Sequence, residues 1–166
     1  MTELSPVING LHVHVCLLHE LDHKELRDVP GVYRLRHASH EFHVRTVDGQ
    51  WIFSDLIKAG ESLDLGGRLR QYKSASSEFP ELNAFLQNHK NRMLVEYLFT
   101  GDPDDRVEHE ARFILAHALD KGRLPRFNRI GEFSTSCKIL GVCLSLERQK
   151  EIKRPWSNRA APRRRL

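Results

Sequence analysis

A hairpin signal at residues 48–49 (DG) restricts the fold of this chain more than any other feature of its sequence. An Asp-Gly pair between two strand-like segments is typical of a tight turn that joins antiparallel strands. Residues 41–47 alternate between apolar and polar side chains before the pair, and residues 50–58 return as the second strand. Residues 32–36 alternate in the same way, and the apolar residues 11–18 predict a further strand.

Helix signals dominate the second half of the chain. Asp64 is placed to cap one helix, and residues 80–89 predict a second helix. A longer helix can begin at Asp104 or Asp105, and Gly122 is expected to end it. The second half therefore predicts three helices after the hairpin.

Strand and helix signals together indicate the fold class. Gly60 is expected to break the strand that follows the hairpin, and residues 93–100 have the length of one more strand. Residues 137–146 fit either a strand or a short helix. The expected fold is α/β of the α+β kind: a mainly antiparallel three-stranded central sheet flanked by helices, with an enlarged hairpin and short terminal extensions.

The composition is typical of a soluble globular protein. Hydrophobic residues make up 40% of the 166-residue chain, and its mean hydropathy is −0.49. No apolar run approaches the roughly 20 residues that a membrane helix needs, and residues 1–10 lack the order of a signal peptide. The three cysteines are an odd number, which argues against a disulfide framework. A cytoplasmic location without a membrane partner is the expectation.

The net charge of +4 is concentrated at the C-terminus. Residues 147–166 hold eight basic and two acidic residues, a net charge of +6, whereas the rest of the chain carries −2. A basic segment attracts phosphates without reading sequence, and Arg163, Arg164 and Arg165 are therefore candidate nucleic-acid contacts. The alternative is a solvated end that only aids solubility.

Four segments and one glutamate resemble the sequence blocks of the GIY-YIG nuclease superfamily, in the same order. Residues 30–35 (PGVYRL) resemble its opening block, and residues 60–69 (GESLDLGGRL) resemble the second block, in which an arginine follows a glycine by eight residues. Residues 96–100 (EYLFT) look like the third strand of the family. Glu110, ten residues further on, stands where the family places its metal-binding glutamate, and residues 125–128 (PRFN) are similar to the closing block.

The resemblance implies a domain organisation. Residues 30–130 form the GIY-YIG-like domain, preceded by an N-terminal extension at residues 1–29. A C-terminal packing segment at residues 131–146 and the basic tail at residues 147–166 follow it.

The resemblance also implies an activity, a cofactor and a set of catalytic residues. The activity is that of a Mg²⁺-dependent or Mn²⁺-dependent endonuclease that hydrolyses DNA in restriction, defence, homing or repair. Arg68 would grip phosphate oxygens and offset the negative charge that develops during hydrolysis. Glu110 would hold the metal ion, which prefers oxygen ligands, and Asn128 would brace the site by hydrogen bonding. The implied catalytic residues are Tyr33, Lys58, Arg68, Glu110 and Asn128.

Lys58 departs from the family pattern, which has a tyrosine there, so that the two signature triplets read GVY and KAG. In many members that tyrosine helps to activate the attacking water. Three alternatives stay open: Lys58 is a base whose pKa falls on desolvation, it contacts phosphate while Tyr33 handles the water, or the domain is inactive and only binds nucleic acid. Gly31 and Gly60 are expected to let the backbone turn tightly near the substrate.

The spacing around the glutamate departs as well. The gap from Glu110 to Asn128 is longer than is usual in the family, and counting back from Asn128 reaches Ala116, which binds no metal. Glu108 is the other candidate ligand. Since residues two apart project from different faces of a helix, only one of the two glutamates can reach the site.

Further nucleic-acid contacts are expected from His40 and His43 in the enlarged hairpin and from Arg70. DNA is the expected partner. The hairpin or a homodimer is the expected source of any sequence specificity, because the sequence holds no helix-turn-helix or zinc finger. Four histidines near the N-terminus suggest a metal cluster but lack a zinc-binding pattern: His12, His14, His19 and His23.

Overall fold

The computed structural model describes residues 7–8, 11–37 and 55–155 of the chain. The strands within these ranges are β1 (Val7–Ile8), β2 (Leu11–His12), β3 (His14–Leu17), β4 (Gly31–His37), β5 (Asp55–Ser62) and β6 (Met93–Phe99). The α-helices are α1 (Leu65–Lys73), α2 (Pro80–Asn88), α3 (Asp105–Lys121), α4 (Ile130–Leu140) and α5 (Leu146–Ile152). Two 3-10 helices, His23–Leu26 and Lys90–Arg92, complete the described elements.

Four antiparallel strands form the central sheet in the order β3-β6-β4-β5. The prediction of an antiparallel sheet flanked by helices is confirmed, but the prediction of three strands is wrong by one. The additional strand is β3, which comes from the apolar residues 11–18. It pairs with β6 and so satisfies backbone groups that would otherwise lie at an open sheet edge.

Gly60 lies inside β5 and does not end it. β5 continues to Ser62, and Gly60 stands opposite Tyr33 of β4 in the sheet register. The predicted strand break is therefore wrong, and the reason is the contact between Gly60 and Tyr33 described below. The predicted turn at residues 48–49 and the enlarged hairpin around it fall within residues 38–54, which lie outside the described part of the chain.

The predicted helices are present, with ends close to those expected. Asp64 caps α1, since its carboxylate accepts a hydrogen bond from the backbone N–H of Gly67 at 2.9 Å. Gly122 ends α3 in the left-handed conformation, with a φ of 66°. Residues 137–146 were expected to form a strand or a short helix, and residues 137–140 belong to α4. Helix α5 begins at Leu146, and it therefore spans the predicted boundary between the packing segment and the basic tail at residue 147.

Each face of the sheet carries its own hydrophobic core, because successive residues of a strand point to opposite faces. Tyr33 and Leu35 of β4 face a core that includes Leu69 of α1. Val32 faces a second core that includes Phe113 of α3. Among the described helices, none combines the length and the hydrophobicity needed to cross a membrane. The cysteine side chains are free thiols: Cys16, Cys137 and Cys143.

Candidate functional site

A pair of buried tyrosines marks the centre of the candidate site. Tyr33 of β4 is 2% exposed, and its hydroxyl lies 2.7 Å from the hydroxyl of Tyr72 on α1. Burial raises the pKa of both phenols above their usual value, and for Tyr33 the neighbouring Tyr72 raises it further. Both hydroxyls are therefore protonated near neutral pH. Tyr72 was not predicted as a site residue, although it lies one helical turn after Arg68 on the same face of α1.

Gly60 makes room for Tyr33. A Cβ atom on Gly60 would overlap the hydroxyl oxygen and ring of Tyr33, and a Cβ atom on Gly31 would overlap the carbonyl oxygen of Leu98. Both glycines lie in extended strands, so the expectation that they form tight turns near the substrate is wrong. Each glycine is instead explained by the close approach of a neighbouring group.

Arg68 is the cation nearest to the tyrosine pair. Its positive charge opposes the effect of burial on the pKa of Tyr33, and its side chain also interacts with the hydroxyl of Tyr72. One guanidinium nitrogen lies 4.0 Å from Glu78, and the side chain is 32% exposed. Arg68 can therefore meet a ligand from solvent while remaining next to Tyr33.

Glu110 of α3 is the carboxylate of this group. Burial raises its pKa to about 7, the charges of Glu61 and Glu132 add to this rise, and Lys58 and Arg106 oppose it. No residue in the described ranges donates a hydrogen bond to the Glu110 carboxylate. Its oxygen atoms are therefore available for a ligand or a metal ion.

Glu108 is placed differently. Its side chain is 51% exposed and forms an ion pair with Arg112, one turn further along α3. The two glutamates therefore face different surroundings, as their spacing predicted. Of these two glutamates, Glu110 is the one that influences the pKa of Tyr33 and of Lys58.

Lys58 is buried inside the protein, with only 3% exposure. Its ammonium nitrogen lies 3.4 Å from the carbonyl oxygen of Phe127 and 3.5 Å from a carboxylate oxygen of Glu132, over the ring of Phe79. Burial lowers the pKa of Lys58, and the charges of Glu132 and Glu110 oppose this effect. This position does not favour direct contact between Lys58 and a substrate phosphate.

The side chain of Asn128 joins the segment before α4 to strand β5. Its side chain forms two hydrogen bonds of 2.8 Å with the backbone of Ala59, and its amide nitrogen also donates to Glu132 at 2.9 Å. Glu132 further accepts a hydrogen bond from the backbone N–H of Arg129 and contacts Lys58. The sequence did not point to Glu132, although its position one helical turn after Asn128 is a usable signal.

Arg68 and Glu110 each act electrostatically on both Tyr33 and Lys58, and Asn128 anchors the strand that carries Lys58. Arg70 is exposed and lines a cavity apart from this group. The remaining predicted contacts lie outside the described residues: His40, His43, Arg163, Arg164 and Arg165. Within the described ranges, no cluster of three or more His, Cys, Asp or Glu side chains is arranged to hold a metal ion.

The chain matches no protein-family model, no curated protein and no solved structure.

Proposed function

We propose that this chain is a divergent GIY-YIG-type endonuclease that hydrolyses DNA phosphodiester bonds with Mg²⁺ or Mn²⁺. One observation carries the proposal: Arg68 and Glu110, which come from separate sequence blocks, both act electrostatically on Tyr33 of a third block. Coincidental matches to short motifs would give no reason for both charges to act on the same tyrosine. This shared influence supports the resemblance as a description of one site.

The pairing of β4 with β5 adds support. The two triplets that resemble the family signatures lie on these neighbouring strands, where Tyr33 stands opposite Gly60 and Leu35 stands opposite Lys58. Arg68 follows on α1, which packs against the same sheet face as Tyr33. The elements are thus connected as one structural unit.

The site combines partly exposed and buried side chains. Arg68 and Glu110 retain exposure, whereas Tyr33, Tyr72 and Lys58 are buried. In the proposed reaction Arg68 binds the scissile phosphate and offsets the charge that develops on it. The protonated hydroxyl of Tyr33, held by Tyr72, orients the attacking water by hydrogen bonding.

We assign the divalent metal ion to a single carboxylate, that of Glu110. Glu61 and Glu132 lie close enough to raise the pKa of the Glu110 carboxyl, and a bound cation would relieve this mutual repulsion. Glu61 is already paired with Arg106, and Glu132 with Asn128, so Glu110 is the residue that would hold the metal. Mg²⁺ bound there would stabilise negative charge and lower the pKa of a water molecule.

Lys58 is best described as a positioning residue in this scheme. Its ammonium group lies between the Phe127 carbonyl and Glu132, so it ties β5 to the segment that precedes α4. Tyr33 then takes the role in water activation that the family shares with a second tyrosine.

The alternative is a catalytically inactive module that binds nucleic acid. The burial of both Tyr33 and Lys58 favours this alternative, because neither side chain reaches the solvent from which a water molecule would attack an exposed phosphate. Such a module would bind DNA through Arg68 without breaking it.

The test is conversion of supercoiled plasmid to nicked DNA by the purified protein, with Mg²⁺ or with EDTA. We expect nicking that requires Mg²⁺ and is abolished in Arg68→Ala and in Glu110→Ala, whereas Arg112→Ala retains it because Arg112 contacts only the exposed Glu108. Binding of plasmid, single-stranded DNA and RNA without cleavage of any of them would favour the inactive module.

A further inference from the structure

A cavity of about 570 Å³ lies beside α1 and is lined by basic side chains. Four separate parts of the chain form its wall: the turn after β3 provides His19, the first 3-10 helix provides His23, α1 provides Arg70 and Lys73, and the second 3-10 helix provides Lys90. The fold therefore brings together basic side chains that are distant in sequence, among them the cations Arg70, Lys73 and Lys90.

The lining contains no acidic residue, since its other two members are Ser74 and Asn91. Glu20 lies 3.7 Å from His19 but does not line the cavity. The side chains of Arg70 and Lys90 form no hydrogen bond or ion pair with any described residue. Arg70 acts electrostatically on Asp64, which does not line the cavity. Since concentrating like charges disfavours the compact state, an anionic ligand would stabilise this region.

The cavity is connected to the candidate site through α1. Arg70, Lys73 and Ser74 are spaced three and four residues apart on one side of the helix, whereas Arg68 and Tyr72 share another side. A second cavity of about 140 Å³ shares Lys73 and Ser74 with the first and is also lined by Tyr72, the hydrogen-bond partner of Tyr33. The residues that line only the second cavity are mostly apolar, so the basic lining of the first cavity adjoins a hydrophobic pocket that reaches the tyrosine pair.

We infer that this cavity binds phosphates of the nucleic-acid backbone that flank the phosphate held at Arg68. The inference takes its ligand from the proposed function, whereas the cavity and its charge are independent of it. Arg70 and Lys90 contact backbone phosphates directly. Lys73 has a positioning role, because its ammonium group donates a 2.8 Å hydrogen bond to the carbonyl of Leu21.

The experiment measures binding of a short labelled DNA duplex in EDTA over a range of salt concentrations, so that cleavage plays no part. The cavity variant is Arg70→Ala/Lys90→Ala. The control variant is Lys121→Ala/Lys138→Ala, which removes the same charge from exposed positions of α3 and α4. Thermal melts of both variants establish that they fold.

We expect the cavity variant to bind more weakly and to reduce the slope of log K against log salt by about 2, one for each lost phosphate contact. The control should change the slope by less than half of that. An unchanged slope in the cavity variant overturns the inference, and so does an equal reduction in both variants. Binding of inorganic pyrophosphate that the cavity variant loses, without any binding of DNA, overturns it in favour of a small phosphorylated ligand.

The inference and the proposed function fail separately. Mg²⁺-dependent cleavage with an unchanged salt slope in the cavity variant overturns the inference alone. A reduced slope in a protein that cleaves no nucleic acid supports the cavity as a binding surface and overturns the nuclease proposal.

Discussion

The side chain of Asn128 takes the place of a neighbouring strand beside Ala59. Its carboxamide oxygen accepts a hydrogen bond from the Ala59 N–H, and its nitrogen donates to the Ala59 carbonyl, each at 2.8 Å. The backbone N–H of Phe127 donates to the carbonyl of Ile57 at 2.8 Å, so two consecutive residues follow the outer edge of β5. The segment that resembles the closing family block is thus joined to the strand that carries Lys58.

Asn128→Ala should lower the free energy of unfolding by about 2–4 kcal/mol, because it leaves both backbone groups of the fully buried Ala59 without partners. Urea denaturation measures this loss. Asn88→Ala, at an exposed position at the end of α2, is the control and should change stability by less than about 0.5 kcal/mol. A similarly small change in Asn128→Ala would refute the structural role of this side chain.

Gly60→Ala should displace the ring of Tyr33, because the added methyl group would occupy the space of the Tyr33 hydroxyl. We expect a loss of unfolding free energy of about 1–3 kcal/mol, typical of overpacking, together with loss of DNA cleavage. Gly101→Ala is the matched control, since a Cβ atom there meets no atom within 4 Å. Equal stability and equal cleavage in the two variants would contradict the close approach of Tyr33 to β5.

Glu110→Gln should stabilise the metal-free protein at alkaline pH while abolishing cleavage. Burial raises the pKa of Glu110 to about 7 from 4.5, so the folded state holds this proton more tightly than the unfolded chain. The resulting stabilisation is complete below about pH 4.5 and is lost as the pH rises through about 7.

The unfolding free energy of Glu110→Gln relative to wild type should therefore increase by on the order of 1–3 kcal/mol between pH 4.5 and pH 8. Chemical denaturation in EDTA at both pH values measures this change. Glu108→Gln is the control. Since Arg112 lowers the pKa of Glu108, removing the Glu108 carboxylate should not raise the unfolding free energy at pH 8. A loss of stability at pH 8 in Glu110→Gln would indicate a structural role for Glu110.

Tyr72→Phe should slow cleavage by on the order of 10²-fold, since it removes the hydroxyl that holds Tyr33. The change in unfolding free energy should be only about 1 kcal/mol, the value of one hydrogen bond. Tyr97→Phe is the comparison, because Tyr97 stands opposite Tyr33 on β6 but its ring stacks on His14. Single-turnover cleavage rates measure this effect. An unchanged rate in Tyr72→Phe would show that the tyrosine pair takes no part in the reaction.

Helix ends were predictable because their signals are local. Asp64 and Gly122 act on backbone groups within one turn, so the sequence contains the whole interaction. The position of Gly60 inside β5 was not predictable in this way, because glycine often ends a strand. Only its contact with Tyr33 on the neighbouring strand explains why β5 continues through Gly60. The local sequence suggested a break where the tertiary contact required a strand.

The site was only partly predictable for a similar reason. Tyr33, Arg68 and Glu110 were selected by resemblance, and their proximity agrees with it. The burial of Lys58 and the contacts of Glu132 depend on how α4 packs beside β5, which no short sequence pattern encodes.

The most direct test of the central claim is the rate of Mg²⁺-dependent plasmid nicking by wild type, Glu110→Gln and Glu108→Gln, purified in parallel. The two substitutions remove the same group from the same helix, two residues apart, but only Glu110 lies within electrostatic range of Tyr33. The account predicts nicking by wild type and Glu108→Gln and none by Glu110→Gln. Equal nicking by all three proteins, or none by the wild type on plasmid, single-stranded DNA or RNA, would contradict it.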